Sequence, residues 1–246
     1  MKIRADLLLV KKKIANTRTK AQTMISDEQI YINEKKILKS GQLIDIKSNI
    51  NCRSSNRQWV SRGAKKLMHA IDHFKINLND FICLDIGAST GGFTEVLLIN
   101  NAKKIYSVDV GTNQLHKNLL KNPKVINISK INAKYLNSNL IPDLVNIIVC
   151  DVSFISMKKV IKPSLPFLDK KNGIIIGLIK PQFELQKNEI PKSGIIKDNK
   201  IHEKICNNFK EWFTLECKMK VLGIIPSPIT GSKGNHEFLI YAKRKS

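Results

Sequence analysis

Cys83–Leu98 reads CLDIGASTGGFTEVLL. The apolar run FICLDI leads into it and predicts a β-strand. A loop carrying Gly87, Gly91 and Gly92 follows, and an amphipathic helix is expected from about Phe93. Glycines let a loop adopt positive φ and let its backbone come close to a ligand. The helix behind the loop offers first-turn N–H groups that lack intrahelical partners. Strand, glycine loop and helix in this order build the cofactor crevice of an open α/β sheet. About 20 residues further on, a second strand, KKIYSVDV, ends in Asp109, where an acid commonly takes ribose hydroxyls. A nucleoside-containing cofactor is therefore expected.

The spacing narrows the choice of cofactor. A dinucleotide fingerprint needs G-x-G-x-x-G, whereas this loop has G-x-x-x-G-G with Asp85 two residues before the first glycine. No lysine follows Gly92, so a phosphate loop does not fit either. A carboxylate here repels a pyrophosphate but suits the ammonium of a methionine tail. The pattern D-x-G-x-x-x-G-G-[FW] resembles the loop of an S-adenosylmethionine methyltransferase. Its cofactor contacts are expected at Asp85, Gly87, Ser89, Thr90, Gly91, Gly92, Phe93, Asp109, Val110 and Asn132. A nicotinamide-dependent oxidoreductase on a Rossmann fold is the rival reading of this segment.

The chain of 246 residues is long enough for one ordinary α/β domain plus a small appendage. Its 42 Lys and Arg outnumber 20 Asp and Glu, for a formal charge of +22. Such a surface attracts polyanions, although a composition crowded with Lys, Asn and Ile accounts for part of the charge. The five cysteines include no C-x-x-C, and neither they nor the five histidines show metal spacing, so no metal is expected. Cys83 and Cys150 lie in apolar strands, which points to a reducing, cytoplasmic setting. No run approaches the roughly 20 apolar residues of a membrane span. LLLV near the N-terminus is too short for a signal-peptide core.

Residues 1–47 carry a pattern of their own. Helices are expected over Ala5–Lys13 and about Arg18–Ile25, the second capped by Asn16 or Thr17, followed by the strand EQIYIN and by KKILKSGQLIDI. Arg4, Asp6, Leu9, Val10, Thr17, Arg18, Ala21, Met24, Ile25, Ile30, Ile32 and Asn33 resemble the pattern of the small S-four-type RNA-binding module. In that module two turn glycines stand where this chain has Glu28 and Glu34. The resemblance implies an RNA-binding face that includes Arg4, Lys11, Lys12, Arg18 and Lys20. Ser48–Gln58 is polar, lacks apolar periodicity and reads as a linker spanning 48–58.

From Trp59 strands and helices alternate, which predicts a doubly wound, mostly parallel sheet. Strands are expected at Phe81–Ile86, Lys104–Val110, Val125–Ile128, Asn146–Val152, Gly173–Ile179, Lys218–Ile225 and His236–Ala242. Helices are expected near Ala64–Phe74, Phe93–Asn100, Gln114–Leu120, Lys158–Leu168 and Asn199–Phe213. The last two strands are close enough in sequence to pair as an antiparallel edge hairpin. Ligands of such a sheet sit beyond the carboxyl ends of its strands. Asp151 and Lys180 end apolar strands, Glu237 opens the antiparallel one, and Lys66 lies on the helix before the glycine loop. All four can converge on one rim.

The blocks SRGAKKL, CLDIGASTGGFT, DVSFIS, LIKPQFE and GNHEFL resemble, in order, those of the TlyA family of ribosomal RNA 2′-O-methyltransferases. These enzymes place an FtsJ-like domain behind an S-four-type module. The resemblance implies a class I, Rossmann-like methyltransferase domain over 59–246, with a seven-stranded sheet. It implies S-adenosylmethionine as cofactor and ribosomal RNA or ribosomal subunits as partner, with cytidine as the target nucleoside. A monomer is expected. It also implies a catalytic tetrad of Lys66, Asp151, Lys180 and Glu237, with Arg62 added to the RNA-binding set. VGTNQL after Asp109 lacks the family's aromatic, and Lys130 and Lys134 in SKINAKYL depart from its adenine-contacting segment. The chemistry is coherent in physical terms. A ribose hydroxyl must lose its proton as it attacks a sulfonium methyl, and an amine takes that proton only as the free base. Burial and a second cation favour the free base, while acids oppose it. Phe154 and Phe183 are candidates for stacking on a base. The competing readings are a non-catalytic RNA-binding protein on the same fold and a membrane-active haemolysin, a name some members of the family carry.

Overall fold

The computed structural model describes residues 2–26, 29–52, 59–231 and 234–245. The chain forms two compact units, Met1–Gln58 and Trp59–Ser246.

In the first unit, β1 (Lys2–Arg4) leads into α1 (Ala5–Lys11), and α2 (Arg18–Ser26) follows. β2 (Ile30–Ile32), β3 (Lys35–Lys36), β4 (Leu43–Asp45) and β5 (Ile50–Cys52) complete it. Leu8, Leu9, Ala21, Ile25, Ile30 and Ile44 form its core. Thr17 caps α2, its hydroxyl accepting the Lys20 N–H at 3.1 Å. Asp6 is fully buried and accepts from Arg4 (2.9 and 3.1 Å), Arg18 (3.0 Å) and Gln22 (2.9 Å). Those donors hold its carboxyl well below the usual carboxylate range. The hairpin turn between β2 and β3 has positive φ at both Asn33 (48°) and Glu34 (65°). That is the conformation a glycine at the second position would take without strain. Glu28, the other departure from the family pattern, lies outside the described residues.

The expected linker needs correction at its start. Ile50–Cys52 pair antiparallel with Ile30–Ile32, so one strand of this unit's three-stranded sheet lies inside 48–58. Ile50 is the lone apolar side chain in SNINCR, and a single apolar position gives no periodicity to detect.

The second unit contains α3 (Ala64–Phe74), β6 (Ile82–Ile86), α4 (Gly92–Ile99), β7 (Lys104–Asp109), α5 (Lys117–Leu120) and β8 (Val125–Ser129). β9 (Ile147–Cys150), α6 (Lys158–Ser164), β10 (Ile174–Ile179) and α7 (Pro181–Glu184) continue it. α8 (Asn199–Leu215), β11 (Met219–Pro226) and β12 (Phe238–Arg244) finish it. One seven-stranded sheet runs β11-β12-β10-β9-β6-β7-β8. β12 is antiparallel to both its neighbours, and the other pairings among β6–β10 are parallel. This is the mostly parallel sheet with an antiparallel edge hairpin that the alternation predicted. β9 and β10 are buried along their whole length, with side chains packed on both faces, which explains their uninterrupted apolar sequence. The expected helix over Lys158–Leu168 breaks at Pro163: α6 ends at Ser164 and Leu165–Phe167 form a 3-10 turn.

Candidate active site

The glycine loop sits between β6 and α4, as its sequence requires. Gly87 has φ +85°, and a Cβ there would come within 2.6 Å of the Asp151 carbonyl oxygen. Only glycine lets the loop pass this close to the end of β9. Gly91 (φ +98°) is a packing glycine, since a Cβ would strike Leu119 and Leu115. Gly92 lies against Ser61 and the Ala64 nitrogen at the start of α3.

Two cavities meet over this loop. One, of about 600 Å³, is lined by Arg62, Lys66, Gly92, Phe93, Lys180, Gln182, Phe183, Asn235 and Glu237, among others. The second, about 330 Å³, is lined by Asp109, Val110, Gln114, Asn132, Ala133, Ile155 and Val160. Gly87, Ser89, Asp151, Ser153 and Phe154 line both.

The four expected catalytic side chains converge in the larger cavity. Lys66 Nζ lies 2.7 Å from Glu237 Oε2 and 3.8 Å from Asp151 Oδ2. Lys180 Nζ lies 2.5 Å from Asp151 Oδ1 and donates to Ser153 Oγ at 2.9 Å. Lys66, Lys180 and Glu237 are buried, and Asp151 keeps 18% of its side chain accessible. Two cations and two anions thus balance in one pocket, which is how charge survives burial. Lys65, next to Lys66, does not line the cavity.

Asp109 fixes the second cavity. Its two carboxylate oxygens accept from Ser89 N–H at 2.8 Å and Gly111 N–H at 2.7 Å. Each oxygen has a further lone pair for a ribose hydroxyl. Asn132 caps a 3-10 turn, Ala133–Tyr135, through the Lys134 N–H. Ser89, Phe93 and Val110 reach the cavities, whereas Thr90 and Gly91 line neither. Asp85 also opens on neither. It is fully buried beneath the loop, its Oδ2 accepts from Thr94 Oγ1 at 2.7 Å, and its Oδ1 has no partner. Burial lifts its carboxyl to about 7. Asp85 therefore supports the loop from below, a correction to the direct methionine-tail contact expected of it.

The sequence did not single out Ser153 or Asn235. Asn235 is buried; its Oδ1 accepts the Ile196 N–H (2.9 Å) and its Nδ2 donates to the Gly194 carbonyl (2.8 Å). It ties the segment after α7 to the turn before β12, and both segments line the catalytic cavity. Gly231 in that turn lies so close to Glu237 that a Cβ would meet Oε1 at 2.6 Å. Neither residue belongs to a periodic pattern, and a long loop gives no contact information. Phe154, 91% exposed, stands 5.1 Å from the Phe183 ring at the cavity mouth.

Of the residues implied for RNA binding, Arg4 and Arg18 spend part of their guanidinium on Asp6 but remain 40% and 52% accessible. Lys11 and Lys20 are exposed, and Lys12 donates to the Ser48 carbonyl. Arg62 lines the catalytic cavity of the second unit. Among the described residues, no group of three His, Cys, Asp or Glu is placed to hold a metal ion. None of the described helices is long and apolar enough to cross a membrane.

A glycine-looped parallel sheet with an acid at the end of its second strand, closed by an antiparallel last strand, defines a class I methyltransferase. The FtsJ-like methyltransferase family matches residues 59–244 and the S4 domain matches residues 3–50. The chain belongs to the FtsJ-like methyltransferases that carry an S4 domain. It is 40% identical to Hemolysin A of Brachyspira hyodysenteriae, over 92% of this chain and 93% of that one. It is 32% identical to the 16S/23S rRNA (cytidine-2′-O)-methyltransferase TlyA of Mycobacterium tuberculosis, over 99% and 90%. A solved structure from Streptococcus thermophilus, described as a candidate hemolysin, superposes with a TM-score of 0.76 at 34% identity. It covers 100% of this chain and 89% of that one.

Proposed function

We propose that this chain methylates a ribose 2′-hydroxyl of ribosomal RNA, with S-adenosylmethionine as methyl donor and cytidine as the target nucleoside. The observation that carries the proposal is the meeting of Lys66, Asp151, Lys180 and Glu237 in a cavity continuous with the Asp109 cavity. S-adenosylmethionine supplies an electrophilic methyl carbon. The residues present fit it: Asp109 for the ribose, Val110, Ile155 and Ala133 for the base, and the first-turn N–H groups of α4 for the carboxylate. The tight passage of Gly87 past Asp151 puts the loop next to the tetrad.

Lys180 is assigned the proton of the 2′-hydroxyl, because its Nζ lies between Asp151 and Ser153 at the junction of the cavities. Lys180 takes that proton as the free amine, Asp151 orients both lysine side chains, and Glu237 anchors Lys66. Phe154 and Phe183 offer ring faces to the target base, and Arg62 offers charge to its phosphate. Proton transfer contributes about 10²–10⁴-fold and positioning about 7–11 kcal/mol. Positioning is therefore the larger part.

The test is single-turnover methylation of ribosomal RNA across a pH series. Lys180→Ala and Asp151→Ala are expected to lose most transfer and to keep cofactor binding. The wild-type rate should rise with pH and that of Lys180→Arg should stay low and flat, since a guanidinium does not give up its proton. Near-wild-type transfer by Lys180→Arg would leave Lys180 a positioning role only.

A further inference from the structure

The second unit has a basic flank that neither the tetrad nor the cofactor cavities use. Lys158, Lys159 and Lys162 project from α6, and Lys134 joins them from the 3-10 turn Ala133–Tyr135, which packs against α6. Together they line one shallow recess with Pro163 and Trp212. Lys134, Lys159 and Lys162 are exposed, and Tyr135 beside them is 75% exposed.

Three observations separate this flank from the general excess of lysine. Residues 130–142 and 152–168 contain no Asp or Glu, so these segments themselves carry only positive side-chain charge. Of the acids outside those segments, Glu216 engages Lys162 at 2.8 Å, and Glu184 is turned to the start of α6, where it accepts from Ser156 Oγ and the Met157 N–H. Lys158 is packed over the rings of Phe209 (5.0 Å) and Trp212 (5.7 Å), which fixes a cation on the surface rather than leaving it to sample solvent. The flank also adjoins the active site through its immediate chain neighbours. Ala133 and Val160 line the Asp109 cavity while Lys134 and Lys159 face the opposite way into the recess.

We infer that this flank is a second RNA-binding surface, which takes the phosphates of the strand flanking the methylated nucleotide. The inference rests on the function proposed above and adds to it. The catalytic unit grips the substrate itself and does not leave RNA affinity to the S4 domain. Lysines suit this task because they meet phosphates as mobile point charges and impose no sequence. The exposed Tyr135 ring adds a stacking face among them.

The experiment compares two triple variants of the full chain in RNA binding from low to moderate salt. In Lys134→Gln/Lys159→Gln/Lys162→Gln, ribosomal RNA affinity is expected to fall at least about tenfold. Its log–log salt slope should become shallower by about 2, as for the loss of about three phosphate contacts. The control, Lys121→Gln/Lys170→Gln/Lys204→Gln, removes the same charge at scattered exposed sites and should change both quantities far less. Calorimetric S-adenosylmethionine binding should match wild type in both. Equal losses in the two variants, or no loss in the first, would overturn the inference. Wild-type protein that binds RNA but transfers no methyl group would count against the proposed function and leave this comparison intact.

Discussion

At the scale of single residues, Asp85 is the most exposed to test, because its state depends on pH. Its carboxyl is raised to about 7 by burial, while an unfolded aspartate titrates near 3.9. A raised acid is neutral in the fold when the unfolded chain is already charged. Its burden is absent below about pH 4, grows as pH rises to about 7, and stays constant above that. The full linkage corresponds to at most about 4 kcal/mol. Asp85→Asn keeps the acceptor for Thr94 and removes the charge. It is expected to melt several degrees above wild type at pH 8 and nearly level with it at pH 4; a pH-independent difference would contradict this. Asp109 tests differently, since its carboxylate holds the loop and is the proposed partner of the cofactor ribose. Asp109→Ala should weaken S-adenosylmethionine binding by roughly 1.5–3 kcal/mol in calorimetry. Unchanged affinity would remove Asp109 from the site.

Among elements, the glycine loop and the segment tied by Asn235 make opposite demands. The loop needs an absence of side chain. Gly87→Ala would force a Cβ to within 2.6 Å of the Asp151 carbonyl at φ +85°. It is expected to lose cofactor binding and to lower the melting temperature, the backbone conformation alone costing about 1–2 kcal/mol. The segment after α7 needs a side chain from elsewhere. Asn235→Ala removes both its bonds to residues 194 and 196. Limited proteolysis should then cut near Lys192 faster than in wild type, and the RNA KM should rise more than kcat falls. The difference between these two elements explains what the sequence disclosed. Strands β6, β7, β9 and β10 were legible because they are buried, and the loop because its glycines stand at fixed spacing. Lys180 and Asp151 were legible because they end apolar runs, and Glu237 because the last strand runs backwards. Ser153, Asn235 and Gly231 were not, because their roles arise from contacts between segments far apart in the chain. Ile50–Cys52 was missed for the reason already given, and Asp85 was misplaced because a sequence gives an acid's position but not the side of the loop it faces.

For the molecule as a whole, the candidate active site belongs to one of the two units. The Asp109 cavity and the tetrad are built wholly from residues of Trp59–Ser246. We propose that residues 59–246 fold alone. They should bind S-adenosylmethionine with full-length affinity and methylate ribosomal RNA poorly at moderate salt. Cooperative melting with wild-type cofactor affinity, together with a much reduced methylation rate, is the expected outcome. A truncated protein that methylates at the full rate would show that the S4 domain is not needed for docking.

The order in which the tetrad is joined has a consequence for biosynthesis. Lys66 bonds Glu237 across 171 positions of sequence, and β12, which follows Glu237, inserts between β10 and β11 rather than being added outside them. A chain emerging from the ribosome amino end first has its glycine loop, Asp109, Asp151 and Lys180 long before it has that strand. Contacts this distant in sequence form late and slowly. A nascent chain stalled before Glu237 would thus expose a cofactor crevice with Lys66 unanchored and the rim of β10 bare. An enzyme proposed to modify ribosomal RNA would gain chemical competence only with the closing strand in place.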